Sequence, residues 1–207
     1  MSNIPVSALF AFGLTSAIAY AQVTAPDALV KRVTADVINS VKQDPAIQSG
    51  SSAKAATLIE QKVLPYFDFV RMTSLAMGPH WRQATPEQQK RVVDQFRSLL
   101  VRTYSSALAK YRDQVIETKA PRTAASAEGS TVVRSTVTQS GAEPITIDYS
   151  MERSGSGDWK VYDIAVAGVS LVTTYRDTFA REIRDGGVDG LIKSLAAKNG
   201  SLAAKSG

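Results

Sequence analysis

The chain of 207 residues contains no cysteine and only one histidine, His80. Without cysteine there is no disulfide framework, no thiolate nucleophile and no cysteine-ligated metal. A single imidazole excludes a histidine-rich metal site and any mechanism that needs two histidines. His80 follows a Gly-Pro pair, where a loop histidine with a structural role is the simpler interpretation. The absence of cysteine also suits an oxidising compartment.

Motifs of catalysis and nucleotide binding are missing as well. No serine lies in a G-x-S-x-G elbow, no G-x-G-x-x-G follows a predicted strand, and there is no P-loop. Positive charges are dispersed along the chain and are not interleaved with aromatic residues, so no nucleic-acid partner is predicted. The sequence therefore predicts no catalytic residue, no metal site and no cofactor.

The overall composition is that of a globular protein with a basic surface. Hydrophobic residues make up 44% and charged residues 21% of the chain, and the length suits one domain. A net charge of +5 favours an anionic partner such as a membrane surface or an acidic protein face. A solvated basic surface without a partner is the alternative interpretation.

The first 21 residues have the pattern of an export signal. The stretch from Ile4 to Ala19 is uncharged and largely apolar, and Ala19-Tyr20-Ala21 matches an A-x-A cleavage site. The apolar run is too short and too interrupted to span a bilayer. We therefore predict a signal peptide over 1–21, a single α+β domain over 22–200, and a disordered tail over 201–207.

The periodicity of apolar residues predicts helices, then strands, then helices. Spacings of three and four residues predict helices between residues 26 and 111, with a capping box at Thr85 and Gln88. Alternation predicts strands from residue 115 and over 131–138, 145–152 and 159–166. We therefore expect an α+β fold in which helices from both ends wrap a four-stranded, antiparallel, twisted sheet and enclose an apolar cavity.

The stretch from Trp159 to Ile183 combines a strand with the helix that follows. Simple alternation places Trp159 and Val161 on the face opposite Ile164 and Val166, so both faces of this strand are apolar. After Gly168, a stripe of helical period begins, and Gly186-Gly187 is predicted to cap that helix. A last short helix is predicted to end at Asn199-Gly200.

The sequence has many apolar and aromatic side chains and no catalytic motif that would account for them. A curved sheet opposed by helices commonly encloses an apolar pocket. The ligand class would be a lipid or another hydrophobe. Two alternatives stay open. Asp163 or Asp68 could serve an isomerase or hydrolase as a carboxylate of raised pKa, although a backbone N–H or Arg176 could equally hold it. The protein could also be an adaptor whose aromatic residues only fill a core.

Several segments resemble the MlaC (toluene-tolerance, auxiliary transport component) family. They are Val63–Phe69, Met77–Trp81, Ala84–Lys90, Thr103-Tyr104 with Tyr111, Trp159–Ile164, Gly168–Val172 and Tyr175-Arg176. The resemblance covers the chain from about residue 25 to residue 198.

The resemblance implies a periplasmic phospholipid carrier with a mixed α+β fold and no enzymatic activity. Its ligand would be a glycerophospholipid. Its partners would be an inner-membrane ABC transporter complex with an MCE-type substrate-binding subunit and an outer-membrane lipoprotein–porin complex, and its task would be to maintain outer-membrane lipid asymmetry. We expect a monomer.

The residues expected to contact lipid come from the strand and helix phases, because the motifs do not identify them. They are the residues predicted to lie between the sheet and the two aromatic-striped helices: Tyr104, Leu108, Tyr111, Val133, Val137, Ile145, Ile147, Tyr149, Met151, Trp159, Val161, Val169, Tyr175 and Phe179. A phase error of one residue in a strand would move its whole set to the other face.

Overall fold

A computed structural model of the chain describes residues 24–121 and 129–206. The predicted signal peptide and its cleavage site lie outside these ranges. In chain order the elements are α1 (Pro26–Gln43), α2 (Pro45–Gln48), α3 (Ser52–Lys62), α4 (Phe69–Met77), α5 (Pro86–Ala109), β1 (Val115–Lys119), β2 (Ser130–Thr138), β3 (Ile145–Arg153), β4 (Trp159–Val166), β5 (Val169–Ser170) and α6 (Leu171–Ser206). Two 3₁₀ turns, Leu64–Tyr66 and Gly78–Gln83, flank α4.

The predicted α+β order is confirmed, with one more strand than expected. All neighbouring strands pair antiparallel in the order β1-β2-β3-β4-β5. The fifth strand has only two residues and pairs with the end of β4 after a turn at Ala167-Gly168, where both residues have positive φ. It forms because a two-residue turn of this conformation reverses the chain at once.

The predicted capping box begins the longest uninterrupted helix. The Thr85 hydroxyl accepts the Gln88 N–H, and the Gln88 side chain accepts the Thr85 N–H. Both bonds satisfy donors that a helix leaves unpaired at its start. The helix α5 then packs against α3 on one side and α6 on the other, so it forms the centre of the helical layer.

A β-bulge in β4 changes which side chains share a face. Met151 pairs with Val161, but Tyr149 pairs with Ile164, so Tyr162 is an extra residue between the two pairs. A bulge of this kind shifts the alternation by one residue. Val161 and Ile164 therefore lie on the same face of the sheet, and the simple alternation expected from the sequence is wrong at this point.

Three clusters of buried side chains form the core. The largest joins α4, α5 and α6, and the second joins α1, α2, α3 and the end of α5. In the third, Leu29 and Val30 of α1 cover Val133, Met151 and Val161 on the inner face of the sheet. Helices therefore cover one face of the sheet, as is common in antiparallel sheets with one solvated face.

The last helix bends sharply at the predicted Gly-Gly pair. Gly187 has φ 66° and ψ −173°, which interrupts α6 between two helical halves. The second half continues past Asn199 to Ser206, so residues 201–206 are helical. The predicted helix end at Asn199-Gly200 and the predicted disordered tail are therefore wrong for these residues. The Asn199 side chain donates to the Gln95 carbonyl over 2.9 Å, which ties this half to α5 and explains why the helix persists. Within the described ranges, no helix has the length and apolar character needed to cross a membrane.

Candidate functional site

Two apolar pockets lie between the inner face of the sheet and the helices. The first has a volume of about 250 Å³ and is bounded by α3, α4, α5 and the ends of β3 and β4. Its lining residues are all apolar or aromatic: Ile59, Val63, Leu64, Phe67, Phe69, Met72, Leu100, Val101, Tyr104, Ile147, Tyr149, Ile164, Val166 and Leu171. Tyr104 and Val166 are 40% and 36% exposed, so this pocket reaches the protein surface.

The second pocket has a volume of about 260 Å³ and lies under α1. Among the described residues, Thr34 and the tyrosines are the only polar side chains that line it. These are Leu29, Val30, Val33, Thr34, Val37, Ile38, Val63, Tyr66, Phe67, Leu108, Tyr111, Ile116, Tyr149, Met151, Val161 and Ile164. No charged side chain of the described residues lines either pocket, so both favour hydrocarbon over ions.

The two pockets adjoin each other. Val63, Phe67, Tyr149 and Ile164 line both of them and form what we call the shared wall. Phe67 is fixed there because it pairs with Val161 of β4 in a parallel bridge, and the next residue's N–H donates to the Val161 carbonyl over 2.9 Å. The 3₁₀ turn that precedes Phe67 is therefore attached to the sheet, and it closes one side of both pockets.

The hydroxyls of two lining tyrosines, Tyr111 and Tyr149, have hydrogen-bond partners within the protein. The Tyr111 hydroxyl donates to the Gln114 carbonyl over 2.8 Å. The Tyr149 hydroxyl is hydrogen-bonded to Ser135, whose own hydroxyl lies 2.9 Å from that of Thr118. Satisfied hydroxyls leave the aromatic rings as the surface that a ligand meets.

Burial raises the pKa of the Tyr149 hydroxyl, and the hydrogen bond with Ser135 opposes part of that rise. Burial also raises the pKa values of Tyr104 and Tyr111. The cause is the same in each: a tyrosinate loses its hydration in an apolar environment. These side chains stay neutral at physiological pH and add no charge to the pockets.

The structure brings seven of the fourteen predicted site residues to the pockets. Tyr104 and Ile147 line the first pocket, and Tyr149 belongs to the shared wall. The other four line the second pocket: Leu108, Tyr111, Met151 and Val161. They come together because residues of α5 and of β3 line opposite sides of the same pockets, as the aromatic stripe of α5 and the alternation of β3 predict.

The other seven line neither pocket. Tyr175 and Phe179 pack edge-to-face on Phe96 of α5 at centroid distances of 4.8 and 5.0 Å, inside the helical core. Ile145 and Val169 are 46% and 61% exposed at strand ends. The remaining three lie in the sheet: Val133 is buried under α1, Val137 is half-buried, and Trp159 lines a separate and more polar pocket.

The two carboxylates considered as catalytic groups serve as helix caps. Asp163 accepts hydrogen bonds from the Ser170 hydroxyl (2.6 Å) and the Val172 N–H (3.1 Å), which begins α6. Asp68 accepts the Arg71 N–H over 2.8 Å and caps α4. Neither carboxylate lines the two apolar pockets. His80 lies in a 3₁₀ turn, with Nδ1 3.4 Å from the Gln83 side-chain oxygen.

Comparison with known proteins identifies the family of this chain. A family model described as MlaC protein matches residues 31–197. The chain belongs to the MlaC family. A curated relative, the intermembrane phospholipid transport system binding protein MlaC of Haemophilus influenzae, is 24% identical over 158 residues, 76% of this chain and 71% of the relative. The toluene tolerance protein ttg2D of Pseudomonas putida is 33% identical over 122 residues, 59% of this chain and 55% of that protein.

A solved structure of similar fold was determined with a lipid bound. The phospholipid-binding protein from Ralstonia solanacearum, in complex with a phospholipid at 1.53 Å resolution, is 45% identical to this MlaC family chain. The two align with a TM-score of 0.80 over 87% of this chain and 99% of that protein. The likeness therefore extends over most of this chain and nearly the whole of that protein.

Sequence reasoning missed the pocket residues supplied by the N-terminal half of this MlaC family chain. They include Val33 and Val37 of α1, Val63 after α3, and Phe67. The apolar stripe of α1 is visible in the sequence, but its position over the sheet depends on tertiary packing. Ile164 was missed because the bulge at Tyr162 turns it to the inner face.

Proposed function

We propose that this protein is a phospholipid carrier that holds acyl chains in the two apolar pockets. The observation that carries the proposal is the pair of adjoining pockets lined by apolar and aromatic side chains. Membership of the MlaC family and the phospholipid bound by the Ralstonia solanacearum relative support it.

The energetics of lipid transfer account for the absence of charge in the pockets. Exposing an acyl chain to water costs about 0.8 kcal/mol per CH₂, so two long chains cost more than roughly 20 kcal/mol. A carrier avoids that cost only if its pocket resembles the interior of a bilayer. Transfer between bilayer and pocket is then nearly neutral, and its direction is set by partner complexes and by ATP hydrolysis in the transporter.

We further propose that each pocket takes one acyl chain of a glycerophospholipid. The two pockets adjoin at the shared wall, so the two chains of one lipid can occupy them together. Neither chain would then contact the Phe96 cluster in the helical core.

Two isoleucines on β3 provide a test of chain binding. Ile147 lines the first pocket, whereas Ile145 is 46% exposed and lines neither pocket. An asparagine at Ile147 places an unsatisfied amide against hydrocarbon, which costs about 1–3 kcal/mol of binding. Ile147→Asn is expected to lose most co-purified phospholipid while remaining folded, and Ile145→Asn to retain it.

Lipid extracted from the two purified variants would be quantified by mass spectrometry, and the melting temperature would be measured on the same samples. Equal lipid content in folded Ile147→Asn and Ile145→Asn would refute chain binding in the first pocket. Unfolding of Ile147→Asn with or without added lipid would identify Ile147 as an ordinary core residue, and it would equally refute the proposal there.

We propose that the protein is exported to the periplasm and cleaved after Ala21. The apolar stretch before Ala19-Tyr20-Ala21 supports this. N-terminal sequencing of protein from the native host is expected to begin at Gln22. An intact Met1 form recovered from the cytoplasm would contradict it.

We also propose docking to an inner-membrane ABC transporter complex with an MCE-type subunit and to an outer-membrane lipoprotein–porin complex. The net charge of +5 supports a charge-dependent association. Affinity for either complex is expected to fall as salt rises to physiological strength, where screening acts over about 8–10 Å. Binding that is independent of salt would assign docking to apolar contacts.

No catalytic step is part of the proposal. The candidate carboxylates Asp163 and Asp68 are already engaged as caps of α6 and α4. Within the described ranges, no group of three histidine, aspartate or glutamate side chains is arranged to hold a metal ion. Phospholipid is therefore the only ligand that we assign.

A further inference from the structure

A third pocket, which we call the polar pocket, lies at the start of α1 beside the second apolar pocket. Its volume is about 480 Å³, and Leu29 and Tyr66 line both it and the second pocket. Arg32, Trp159 and Lys160 form other parts of its wall. A ligand that passed between Leu29 and Tyr66 would therefore leave an apolar environment and meet two cationic side chains.

The two cations of this pocket are positioned by neutral groups. Arg32 Nη1 donates to the Tyr66 hydroxyl over 3.4 Å, and its guanidinium carbon lies 5.5 Å from the centre of the Tyr66 ring. Lys160 Nζ donates to the Pro65 carbonyl over 2.6 Å. These contacts fix both heads near the same 3₁₀ turn and leave several of their N–H donors for another acceptor.

Neither cation forms an ion pair with a carboxylate of the described residues. The ion pairs formed within residues 24–121 and 129–206 involve Lys62, Arg71, Lys90 and Arg134, and neither Arg32 nor Lys160 belongs to one. Asp158, the one acid that lines the pocket among the residues that the structure describes, accepts a hydrogen bond from the Ser156 hydroxyl over 2.8 Å. The local charge of the lining residues is therefore positive.

An additional buried donor lies in the same wall. The Trp159 side chain is 4% exposed, and its indole N–H has no hydrogen-bond partner within the described part of the chain. A buried donor without a partner is costly. Arg153 covers the Trp159 ring at 5.1 Å from its centre, which adds a further positive charge nearby.

We infer that the polar pocket binds the phosphate group of a lipid headgroup, with Arg32 and Lys160 as the residues that contact it. Guanidinium and ammonium groups are the usual protein partners of phosphate oxygens. In a phospholipid, the apolar acyl chains are joined to an anionic phosphate. In the protein, the apolar second pocket likewise adjoins the polar pocket. This inference rests on the proposed function, because the headgroup reaches the pocket only if the chains occupy the apolar space.

The test compares two soluble lipids that differ only in phosphate. Delipidated mature protein would be titrated with dioctanoyl phosphatidic acid and with dioctanoylglycerol by calorimetry. The variant Arg32→Gln/Lys160→Gln removes both cations, and Lys54→Gln/Lys193→Gln makes the same charge change at exposed lysines outside the three pockets. Inorganic phosphate would be titrated into the wild type and both variants as a probe without acyl chains.

Arg32→Gln/Lys160→Gln is expected to bind phosphatidic acid roughly tenfold more weakly, since charge-assisted hydrogen bonds are lost, and dioctanoylglycerol as the wild type does. The control variant is expected to match the wild type with both lipids. Unchanged affinity for phosphatidic acid, or an equal loss for both lipids, would overturn the inference.

Two further outcomes separate the possible failures. Tight binding of inorganic phosphate alone, weakened by Arg32→Gln/Lys160→Gln, would identify free phosphate as the occupant and would overturn the headgroup assignment. A wild-type protein that bound neither lipid would contradict the proposed function and this inference with it. Binding of both lipids with no effect of the cations would overturn only the inference.

Discussion

Tyr149 of β3 lies directly opposite Ile164 of β4, and both side chains belong to the wall shared by the two apolar pockets. This pairing exists because Tyr162 is bulged out of register between Val161 and Ile164. Without the extra residue, Ile164 would point to the outer face. One inserted residue thus supplies apolar surface to both pockets.

If each pocket holds one acyl chain, a bulky side chain that fills one pocket should block one chain and leave the other pocket able to bind. Leu171 lines only the first pocket, and Val33 lines only the second. Leu171→Trp or Val33→Trp is expected to reduce binding of a diacyl phospholipid and to preserve binding of its monoacyl form. Overpacking would also lower stability by roughly 1–3 kcal/mol.

Val132→Trp is the matched control, because Val132 is 49% exposed and lines neither pocket. Native mass spectrometry of each variant with defined monoacyl and diacyl lipids would give the bound species. Diacyl binding that survives in both pocket variants would contradict one chain per pocket.

Substitution of Asp163 tests whether its carboxylate has a structural or a catalytic role. In Asp163→Ala, the Ser170 hydroxyl and the Val172 N–H lose their acceptor at the start of α6, which is expected to cost about 1–3 kcal/mol of stability. Lipid content of the folded variant is expected to equal that of the wild type. Asp177→Ala, at an exposed position of α6, should leave the melting temperature nearly unchanged.

The interpretation of Asp163 as a cap would be wrong if Asp163→Ala kept full stability. Loss of a defined turnover in a folded Asp163→Ala protein would instead favour an enzyme.

The bend in α6 predicts opposite effects for two adjacent glycines. Gly187 has φ 66° and ψ −173°, a conformation that is essentially restricted to glycine, so Gly187→Ala is expected to cost about 1–3 kcal/mol. Gly186 does not have a positive φ, and an added Cβ there would meet no atom within 4 Å. Gly186→Ala is therefore expected to stabilise the helix by about 0.4–1 kcal/mol.

Chemical denaturation of both glycine variants measures the difference in their free energy of unfolding. An added Cβ at Gly187 also meets no atom within 4 Å, so the two positions differ only in backbone conformation. Equal stabilities of the two variants would show that the bend is not fixed by the backbone of Gly187.

The raised pKa of Tyr149 predicts a loss of stability at alkaline pH. An unfolded tyrosine ionises near pH 10, whereas the buried hydroxyl keeps its proton to higher pH. The folded state then binds more protons, so its free energy of unfolding falls as pH rises above about 10. Tyr149→Phe is expected to be less stable at neutral pH and to approach the wild type in alkali.

Urea unfolding at a series of pH values tests this expectation, with Tyr162→Phe, at a position outside both pockets, as the control. A difference in stability between wild type and Tyr149→Phe that stayed constant with pH would count against burial as the cause.

The sequence predicted the elements of this fold better than the surfaces between them. The cap at Thr85 and the strand β3 were predicted from local signals, and both were confirmed. Tyr175 and Phe179 also formed a correct helical stripe, but the stripe packs on Phe96 and away from the pockets. Periodicity identifies an apolar face and does not identify what covers it.

Two features of the site had no local signal. The bulge at Tyr162 carries no glycine, so nothing in the sequence distinguishes it from regular alternation. The contribution of Phe67 depends on a bridge to Val161, which is 94 residues away in the chain. Register and long-range pairing are tertiary properties, and one chain read by itself does not specify them.

Native mass spectrometry of the protein purified from its native host, before and after organic extraction, tests phospholipid carriage most directly. Before extraction, we expect a mass shift equal to one glycerophospholipid per chain. After extraction and refolding, the shift should be absent, should return when phospholipid is added, and should be accompanied by a higher melting temperature. Protein that carries no lipid before extraction and gains neither mass nor stability from added phospholipid would contradict the proposed role as a phospholipid carrier.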